Sequence, residues 1–382
     1  MNVIHIVPAL FQGDDGIVGG AERYVLELAR HMAAVVPTRL VTFGSRHCEK
    51  HLDDLRIRVI GNPWLVRGER SNPFALRLLD ELGDADVIHC HQPHVLSSSV
   101  AAVVAQLRGQ RIYCTDLGGG GWDISSYMST DRLYDGHLHI SEYSRRIASH
   151  AGKAWAYVIL GGVDTAKFSP PEEQPTTANR PVLFVGRLLP HKGVDDLVRA
   201  LPADMCGEII GPAPDARYLA DLRAIAVGKQ IVFRHDCNDE ALVDGYRRAL
   251  CVVLPSVYRT MYAQHTAVPE LLGQTLLEAM ACGAPVICTT VASLPEIVKD
   301  GVTGLVVPPN NPAELRSAIQ WLRNHPEAGA AMGTAGRDWV LRQFTWPAVV
   351  ARCLEIYRGS PRGASSLAVQ KANVRGILAH PD

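Results

Sequence analysis

Glu270 and Glu278 stand eight positions apart around a glycine, in Pro269-Glu270-Leu271-Leu272-Gly273-Gln274-Thr275-Leu276-Leu277-Glu278. Carboxylates accept hydrogen bonds from hydroxyl groups, so two of them at a loop–helix junction suit a ligand rich in hydroxyls. The helix-forming run after Gly273 puts Glu270 in the loop before a helix. Glu278 then lies about 5 residues inside it, about 7.5 Å along the axis at 1.5 Å per residue. Gly273 permits close backbone approach, and a helix start offers free N–H groups to a phosphate. One carboxylate could take the hydroxyls of a hexose and the other those of a ribose, on either side of a diphosphate. An acid set among Leu276, Leu277, Ala279 and Met280 is costly to bury without partners.

A second set of charges follows the apolar run 182–185, in Gly186-Arg187-Leu188-Leu189-Pro190-His191-Lys192-Gly193. Arg187 offers forked donors and Lys192 a point charge, the two ways side chains neutralise a diphosphate. In isolation they read more readily as two surface cations than as a diphosphate site. In the first half, His89-Cys90-His91-Gln92-Pro93-His94 ends a strand, with His89 and His91 on one face. Three histidines without further ligands are a weak metal signal, and no metal is assigned. His91 or His94 could contact an acceptor, or be satisfied structural histidines. Asp116, ahead of the glycine run 118–121, could bind a sugar hydroxyl, orient an acceptor, or cap a turn. Gly19 and Gly20 precede a helix, where a glycine pair lets a diphosphate or an acceptor approach. The spacing Gly13, Gly16, Gly19 departs from the dinucleotide-binding fingerprint.

These residues need a frame that brings strand ends together. Short apolar runs at 3–7, 39–43, 87–90, 111–115, 138–141 and 156–160 alternate with loops and segments of helical period. The clearest of these is 21–33, with Tyr24, Leu28 and Met32 four apart and Val25 beside them. The second half repeats the architecture, with runs at 182–185, 208–210, 231–234, 252–254, 286–288 and 305–307. Helical candidates are 194–201, 218–226, 240–250, 273–282 and 312–322. Strands alternating with helices predict an α/β fold of two doubly wound parallel sheets. The expected division is a first domain at 1–168, a proline-rich linker at 169–181 and a second domain at 182–343. A helix at 344–358, opened by Thr345-Trp346-Pro347, and a loose tail at 359–382 complete the chain.

Composition excludes several classes. The 382 residues carry 38 Lys+Arg against 39 Asp+Glu, a net charge of −1, which lacks the basic excess of a nucleic-acid binder. Nine scattered cysteines without a Cys-x-x-Cys pair fit a reducing compartment. No run of 18 apolar residues reads as a membrane span, and no signal peptide is read at the start. A cytoplasmic protein is expected.

The ordered set of motifs resembles the retaining glycosyltransferases of family 4, whose GT-B fold has two Rossmann-like domains facing a cleft. Glu270 and Glu278 match that family's E-x7-E signature, and Glu278-Ala279-Met280-Ala281-Cys282-Gly283-Ala284-Pro285 is close to its usual wording. Further matches are Gly19-Gly20-Ala21-Glu22, Gly162-Val163-Asp164 and Pro295-Glu296-Ile297-Val298. The resemblance implies a nucleotide-sugar donor and a carbohydrate or lipid-linked acceptor, with no cofactor and no metal. It implies diphosphate contacts from Arg187 and Lys192, sugar contact from Glu270 and ribose contact from Glu278. Backbone contacts would come from Gly273, Gln274 and Thr275. Family members often have His where Asp116 stands, so that position departs from the pattern. The only Asp-x-Asp, Asp84-Ala85-Asp86, precedes its strand and so sits at the wrong end of the sheet for a metal-dependent site. The resemblance also implies that the helix at 344–358 returns to the first domain. The expected reaction is retaining sugar transfer in cell-surface polysaccharide or glycolipid synthesis. The alternatives are a nucleotide-sugar epimerase of the same fold and a non-catalytic nucleotide-sugar-binding protein. The segment 64–70 with Phe74, Leu76 and Arg77 could touch the inner face of a membrane.

Overall fold

The computed structural model describes residues 1–11, 20–118, 123–127, 130–172, 180–235 and 237–359. Gly19, the glycines at 119–121, most of the linker (173–179) and the tail at 360–382 lie outside the described residues. The described residues form two compact units, one of residues 1–140, 145–159 and 349–359, the other of 141–144 and 160–348.

In the first unit, β1 (Val3–Phe11) leads to α1 (Gly20–Ala33), β2 (Thr38–Gly44), β3 (Cys48–Leu52) and β4 (Leu55–Gly61). A short ribbon of β5 (Trp64–Leu65) and β6 (Pro73–Phe74) follows, then α2 (Leu78–Glu81), β7 (Val87–Cys90), α3 (Leu96–Arg108), β8 (Arg111–Cys114), β9 (Gly136–His139), α4 (Glu142–Ile147) and β10 (Ala156–Val158). The sheet order is β10-β9-β8-β7-β1-β2-β4-β3, parallel apart from the β3–β4 pair. Its inner strands read as near-continuous apolar runs because helices cover both faces. The α1 face of Tyr24, Val25, Leu28, Ala29 and Met32 is buried, as its four-residue spacing predicts.

Eight strands stand where six apolar runs were read. The difference is the β3–β4 hairpin, whose edge strand Cys48-Glu49-Lys50-His51-Leu52 is charged and half exposed. Charge protects a sheet edge from further pairing and hides it from a search for apolar runs.

The second unit contains β11 (Val182–Val185), α5 (Val194–Ala200), β12 (Cys206–Ile210), α6 (Ala216–Ile225), β13 (Gln230–Arg234), α7 (Asp239–Arg248) and β14 (Cys251–Leu254). It continues with α8 (Gln274–Ala281), β15 (Val286–Thr289), α9 (Leu294–Ile297), β16 (Leu305–Val307), α10 (Pro312–Asn324) and α11 (Pro326–Gln343). Its sheet is parallel throughout, in the order β13-β12-β11-β14-β15-β16. Strands β11, β14 and β15 are buried along their whole length. The last helix, α12 (Trp346–Arg358), belongs to the first unit from residue 349 on, where Val349, Cys353, Leu354 and Tyr357 are buried.

The sequence places the division in the proline-rich stretch 169–181, whereas the second unit already takes in residues from 160. Packing explains the shift. A Cβ at Gly161 would meet Leu272 at 2.3 Å and one at Gly162 would meet the Trp346 ring at 2.4 Å, so this strip is pressed into the second unit before the prolines begin.

Candidate functional site

Two loops of the second unit carry the charged residues, and the strand order makes them neighbours. β11 pairs with β14, with Val182 opposite Cys251 and Leu183 opposite Val252. The order also reverses there, since β12 lies on the other side of β11. Such a switch point, at the carboxyl ends of the strands, is where open α/β sheets bind ligands. The loop after β11 carries Arg187 and Lys192; the loop after β14 carries Glu270.

Local geometry locks the first loop onto the second. Gly193 has φ +65, and a Cβ there would stand 2.0 Å from the Pro255 carbonyl oxygen, so only glycine fits. The Val257 N–H donates to the His191 carbonyl at 2.8 Å. Lys192 Nζ donates to Glu270 Oε2 at 2.5 Å, with both side chains mostly buried. The Ser256 hydroxyl reaches the same oxygen at 3.3 Å. Among the described residues Oε1 of Glu270 makes no bond, and it is not buried. The pair therefore keeps one acceptor and two ammonium donors for a ligand.

Arg187 is exposed and makes no hydrogen bond or ion pair among the described residues. It lies close enough to act on His191, as do Lys192 and Glu270. Burial, then the Lys192 charge, lowers the His191 imidazole to about 4, with Glu270 opposing and Arg187 adding to the effect. His191 is thus neutral at pH 7. The local balance is two cations against one carboxylate, which favours an anion.

Gly273 caps α8 with φ +83, and a Cβ there would press to 2.8 Å on Leu294. Gln274 opens the helix and donates through Nε2 to the Gly162 carbonyl at 3.0 Å; Thr275, next along, is half-buried. Glu278 is 7% exposed, and its Oε2 accepts from the Tyr246 hydroxyl at 2.8 Å. The structure therefore brings Arg187, Lys192 and Glu270 together and sets Glu278 inside the same helix against α7. His191, Ser256 and Tyr246 were not singled out from sequence. His191 alone carried a signal, since it stands between the two cations.

In the first unit the histidine and aspartate candidates behave differently. Gly20 is the exposed first residue of α1. Asp116 Oδ1 accepts the Gly118 N–H at 2.8 Å, a turn-closing bond. His91 is 2% exposed and packs with His5 and His89, one ring nitrogen from each lying within 4.8 Å of the others. His5 and His89 are register partners on β1 and β7, so the cluster was legible only through strand pairing.

This cluster is tied into the protein rather than open. His5 joins its Nδ1 to His91 Nε2 at 2.8 Å and its Nε2 to Met32 Sδ at 3.3 Å. A thioether only accepts, so His5 Nε2 carries the proton and His91 Nε2–H donates to His5 Nδ1. His89 joins Thr115 Oγ1 at 2.7 Å and the Tyr357 hydroxyl at 2.6 Å. Burial lowers His5 to about 3 and lowers His89 and His91 well below the usual range. To hold a metal ion, these rings would have to give up those bonds.

Comparison with known proteins adds an independent line. Residues 18–167 match the family model described as Glycosyltransferase Family 4, and residues 166–339 match Glycosyl transferases group 1. The GDP-mannose-dependent alpha-(1-6)-phosphatidylinositol monomannoside mannosyltransferase of Mycobacterium tuberculosis is 33% identical over 298 residues. That match covers 70% of this chain and 72% of the relative. The enzyme of the same name from Mycolicibacterium smegmatis is 35% identical over 240 residues, covering 58% of this chain and 61% of that enzyme's length. Among solved structures, sucrose-phosphate synthase from Thermosynechococcus elongatus superposes with a TM-score of 0.70 at 21% identity. It covers 94% of this chain and 98% of its own.

Proposed function

Because the chain belongs to the family-4 glycosyltransferases and has their GT-B fold, we propose that it is a retaining, metal-independent transferase. It moves a sugar from a nucleoside-diphosphate-sugar donor to a hydroxyl of a carbohydrate or lipid-linked acceptor, in cell-surface glycolipid or polysaccharide synthesis. The observation that carries this reading is the Lys192–Glu270 pair at the β11/β14 switch point, with Arg187 beside it and the α8 start next in the chain.

The roles follow from the groups. Arg187, Lys192 and the backbone at Gly273, Gln274 and Thr275 balance charge on the diphosphate. Glu270 Oε1 accepts a hydroxyl of the transferred sugar, and Glu278 takes the ribose. Gly19 and Gly20 admit the diphosphate near the start of α1. Asp116, half-buried just after β8, serves the acceptor side, whereas His91 is buried in the histidine cluster and is withdrawn from that role. In the transfer, the bond from the anomeric carbon to the diphosphate oxygen breaks as the acceptor oxygen bonds to the same face. The acceptor proton passes to the departing diphosphate, so no protein nucleophile is needed. The protein's contribution is positioning and a preorganised field on the leaving group.

The names of the two mannosyltransferase relatives put GDP-mannose first among donors to try. A donor that binds only the folded chain raises its melting temperature. GDP-mannose, UDP-glucose, ADP-glucose and dTDP-glucose can be screened this way, and the product linkage then read by NMR. One donor should shift the transition and give an α-linked product from an α-linked donor. An inverted product, or no shift with any nucleotide sugar, would overturn the proposal. A new sugar isomer formed without acceptor would establish the epimerase instead.

No helix among the described residues is long and apolar enough to cross a membrane. Membrane contact would fall on the β5–β6 ribbon, where Trp64 is 62% and Leu76 74% exposed beside exposed Arg67, Arg70 and Arg77. Vesicles containing phosphatidylglycerol should sediment the protein, and Arg67→Glu/Arg70→Glu should leave it in the supernatant. Equal sedimentation of both would remove the ribbon from this role.

A further inference from the structure

The second unit has a cavity of about 680 Å³ at the opposite end of its sheet from the switch point. Leu250 and Pro285 in its wall immediately precede β14 and β15, and Arg180 lies two residues ahead of β11. Four-residue strands therefore separate it from the loops that carry Arg187, Lys192 and Glu270, about 13 Å at the usual rise. None of those three residues lines it.

Its polar lining is strongly one-sided. Arg180, Arg247, Arg323 and Arg337 face two carboxylates, Asp204 and Asp338. Arg323 pairs with Asp204 at 2.8 Å. The other three guanidinium groups make no ion pair among the described residues, and all three are half-buried. Their protein bonds go to neutral oxygens. Arg180 donates to the Ala249 carbonyl at 2.6 Å and the Arg248 carbonyl at 3.3 Å. Arg247 donates to the Ser169 carbonyl at 2.8 Å and its hydroxyl at 2.9 Å. Arg337 donates to the carbonyls of Ala281 and Phe168.

Capping the ends of α7 and α8 offsets part of this charge, since a helix carboxyl end carries roughly −0.5 of a unit charge. Two such ends and the Asp338 carboxylate, unpaired among the described residues, set against three unpaired guanidinium groups, leave about one positive charge over. Among the described residues Nη1 of Arg180 and of Arg247 make no protein bond, and they are not buried, so donors remain for a ligand. Burial also lowers Arg180 from its ordinary range, as expected of a cation without a facing anion. Met205, Leu250 and Leu322 supply apolar wall, and the volume suits a molecule larger than a bare ion.

We infer that this cavity is a second anion site, which binds a small organic phosphate: a dianionic phosphate held by Arg180, Arg247 and Arg337, with its organic part on the Met205–Leu322 wall. The fork geometry of guanidinium suits phosphate oxygens taken in pairs. The inference stands apart from the proposed transfer reaction, because it uses none of the residues assigned to it.

The test must separate this site from the donor's diphosphate site. In the full chain carrying Arg187→Ala/Lys192→Ala, calorimetric titration with glucose 6-phosphate should give one site per chain, with glucose giving none. Arg247→Gln in that background should weaken binding at least tenfold, while Arg247→Lys, which keeps the charge, should weaken it only a few-fold. Circular dichroism verifies that each variant is folded. Absence of binding in the double variant, when the unaltered chain binds, would place the anion at the donor site and overturn the inference. Equal affinity of Arg247→Gln and its parent would do the same. Inorganic phosphate binding as tightly as glucose 6-phosphate would overturn the role of the apolar wall.

Discussion

The parallel strands of each sheet reverse their order once, at β1 beside β7 and at β11 beside β14, and the two switch points are filled with opposite chemistry. The second holds two cations and a carboxylate at a partly open mouth, with Arg187 exposed and Glu270 Oε1 free of protein bonds among the described residues. The first is packed with His5, His89 and His91, all buried and all lowered by that burial to the neutral form at pH 7. Equivalent positions in similar sheets thus divide into a charged face for a ligand and a neutral plug for the core. Charge at a strand end is affordable where solvent or a ligand can reach it; a buried imidazole keeps its place by losing its charge.

The largest effect that would break this contrast is on transfer rate. Lys192→Ala should lower it by about 10²–10³, the usual loss when one preorganised donor to a developing charge is removed. Glu270→Gln should act in the same direction while keeping shape and the Ser256 contact. Both should remain folded, because the pair lies at a loop junction rather than in the core. Steady-state rates with a donor identified by the thermal screen, beside circular dichroism, measure this. His5→Asn, by contrast, should change the rate less than about threefold, since it alters no charge at pH 7. If His5→Asn cost more rate than Lys192→Ala, the division of labour between the switch points would be wrong.

That division was half legible in the sequence, for physical reasons visible at single residues. Arg187, Lys192, Glu270 and Gly273 sit in short loops where residue type and spacing carry the geometry, so they could be read without a sheet. His5 could not be tied to His89 and His91 without knowing that β1 and β7 are register partners. Glu278 stood out as an acid in an apolar run, but its partner Tyr246 lies on α7, and nothing in the spacing announces that pairing. Helix α11 was missed because Gly329, Gly333 and Gly336 weaken helical propensity by about 1 kcal/mol each. The packing shows why they are there. A Cβ at Gly333 would stand 2.1 Å from the Gly283 carbonyl oxygen, and one at Gly336 would press to 3.0 Å on Met280, so small residues let α11 lie close along α8. Tertiary packing overrode a local preference, and a reading of one chain cannot weigh that.

A smaller effect, on stability, sharpens the comparison from the other side. His5 is surrounded by His89, His91 and Met32, and its folded pKa is lowered to about 3, against 6.5 for the unfolded chain. Between those values the unfolded chain binds the extra proton, so stability is present in full above about pH 6.5 and falls as the pH is lowered towards 3. At pH 5 the loss from His5 alone is about 2 kcal/mol. His89 and His91, shifted in the same direction, add to it. Urea unfolding followed at pH 7, 6 and 5 should therefore show a shallower decline for His5→Asn than for the unaltered chain. Other acid-titrating groups are common to both proteins, so the difference isolates this ring. Parallel declines would mean that His5 takes up a proton in the folded state, and the first switch point would then not be a neutral plug.

The smallest effect concerns what holds that plug shut. The Tyr357 hydroxyl of α12 meets His89 Nδ1 at 2.6 Å, while His89 Nε2 is engaged by Thr115. With Thr115 taking the Nε2 proton, Tyr357 is the donor to Nδ1, and burial holds its phenol well above the ordinary range, so it keeps the proton to give. Tyr357→Phe removes that donor, together with the hydroxyl's contact to Cys353, and leaves a buried acceptor unsatisfied, a cost of about 1–2 kcal/mol. Adding His89→Leu removes the orphaned acceptor as well, so the double variant should lose less than the two single changes together. A double-mutant cycle by urea unfolding measures the coupling directly. A coupling near zero would mean that α12 is held by the burial of Val349, Cys353 and Leu354 alone, and that the histidines of the first switch point do not sense whether the helix is in place.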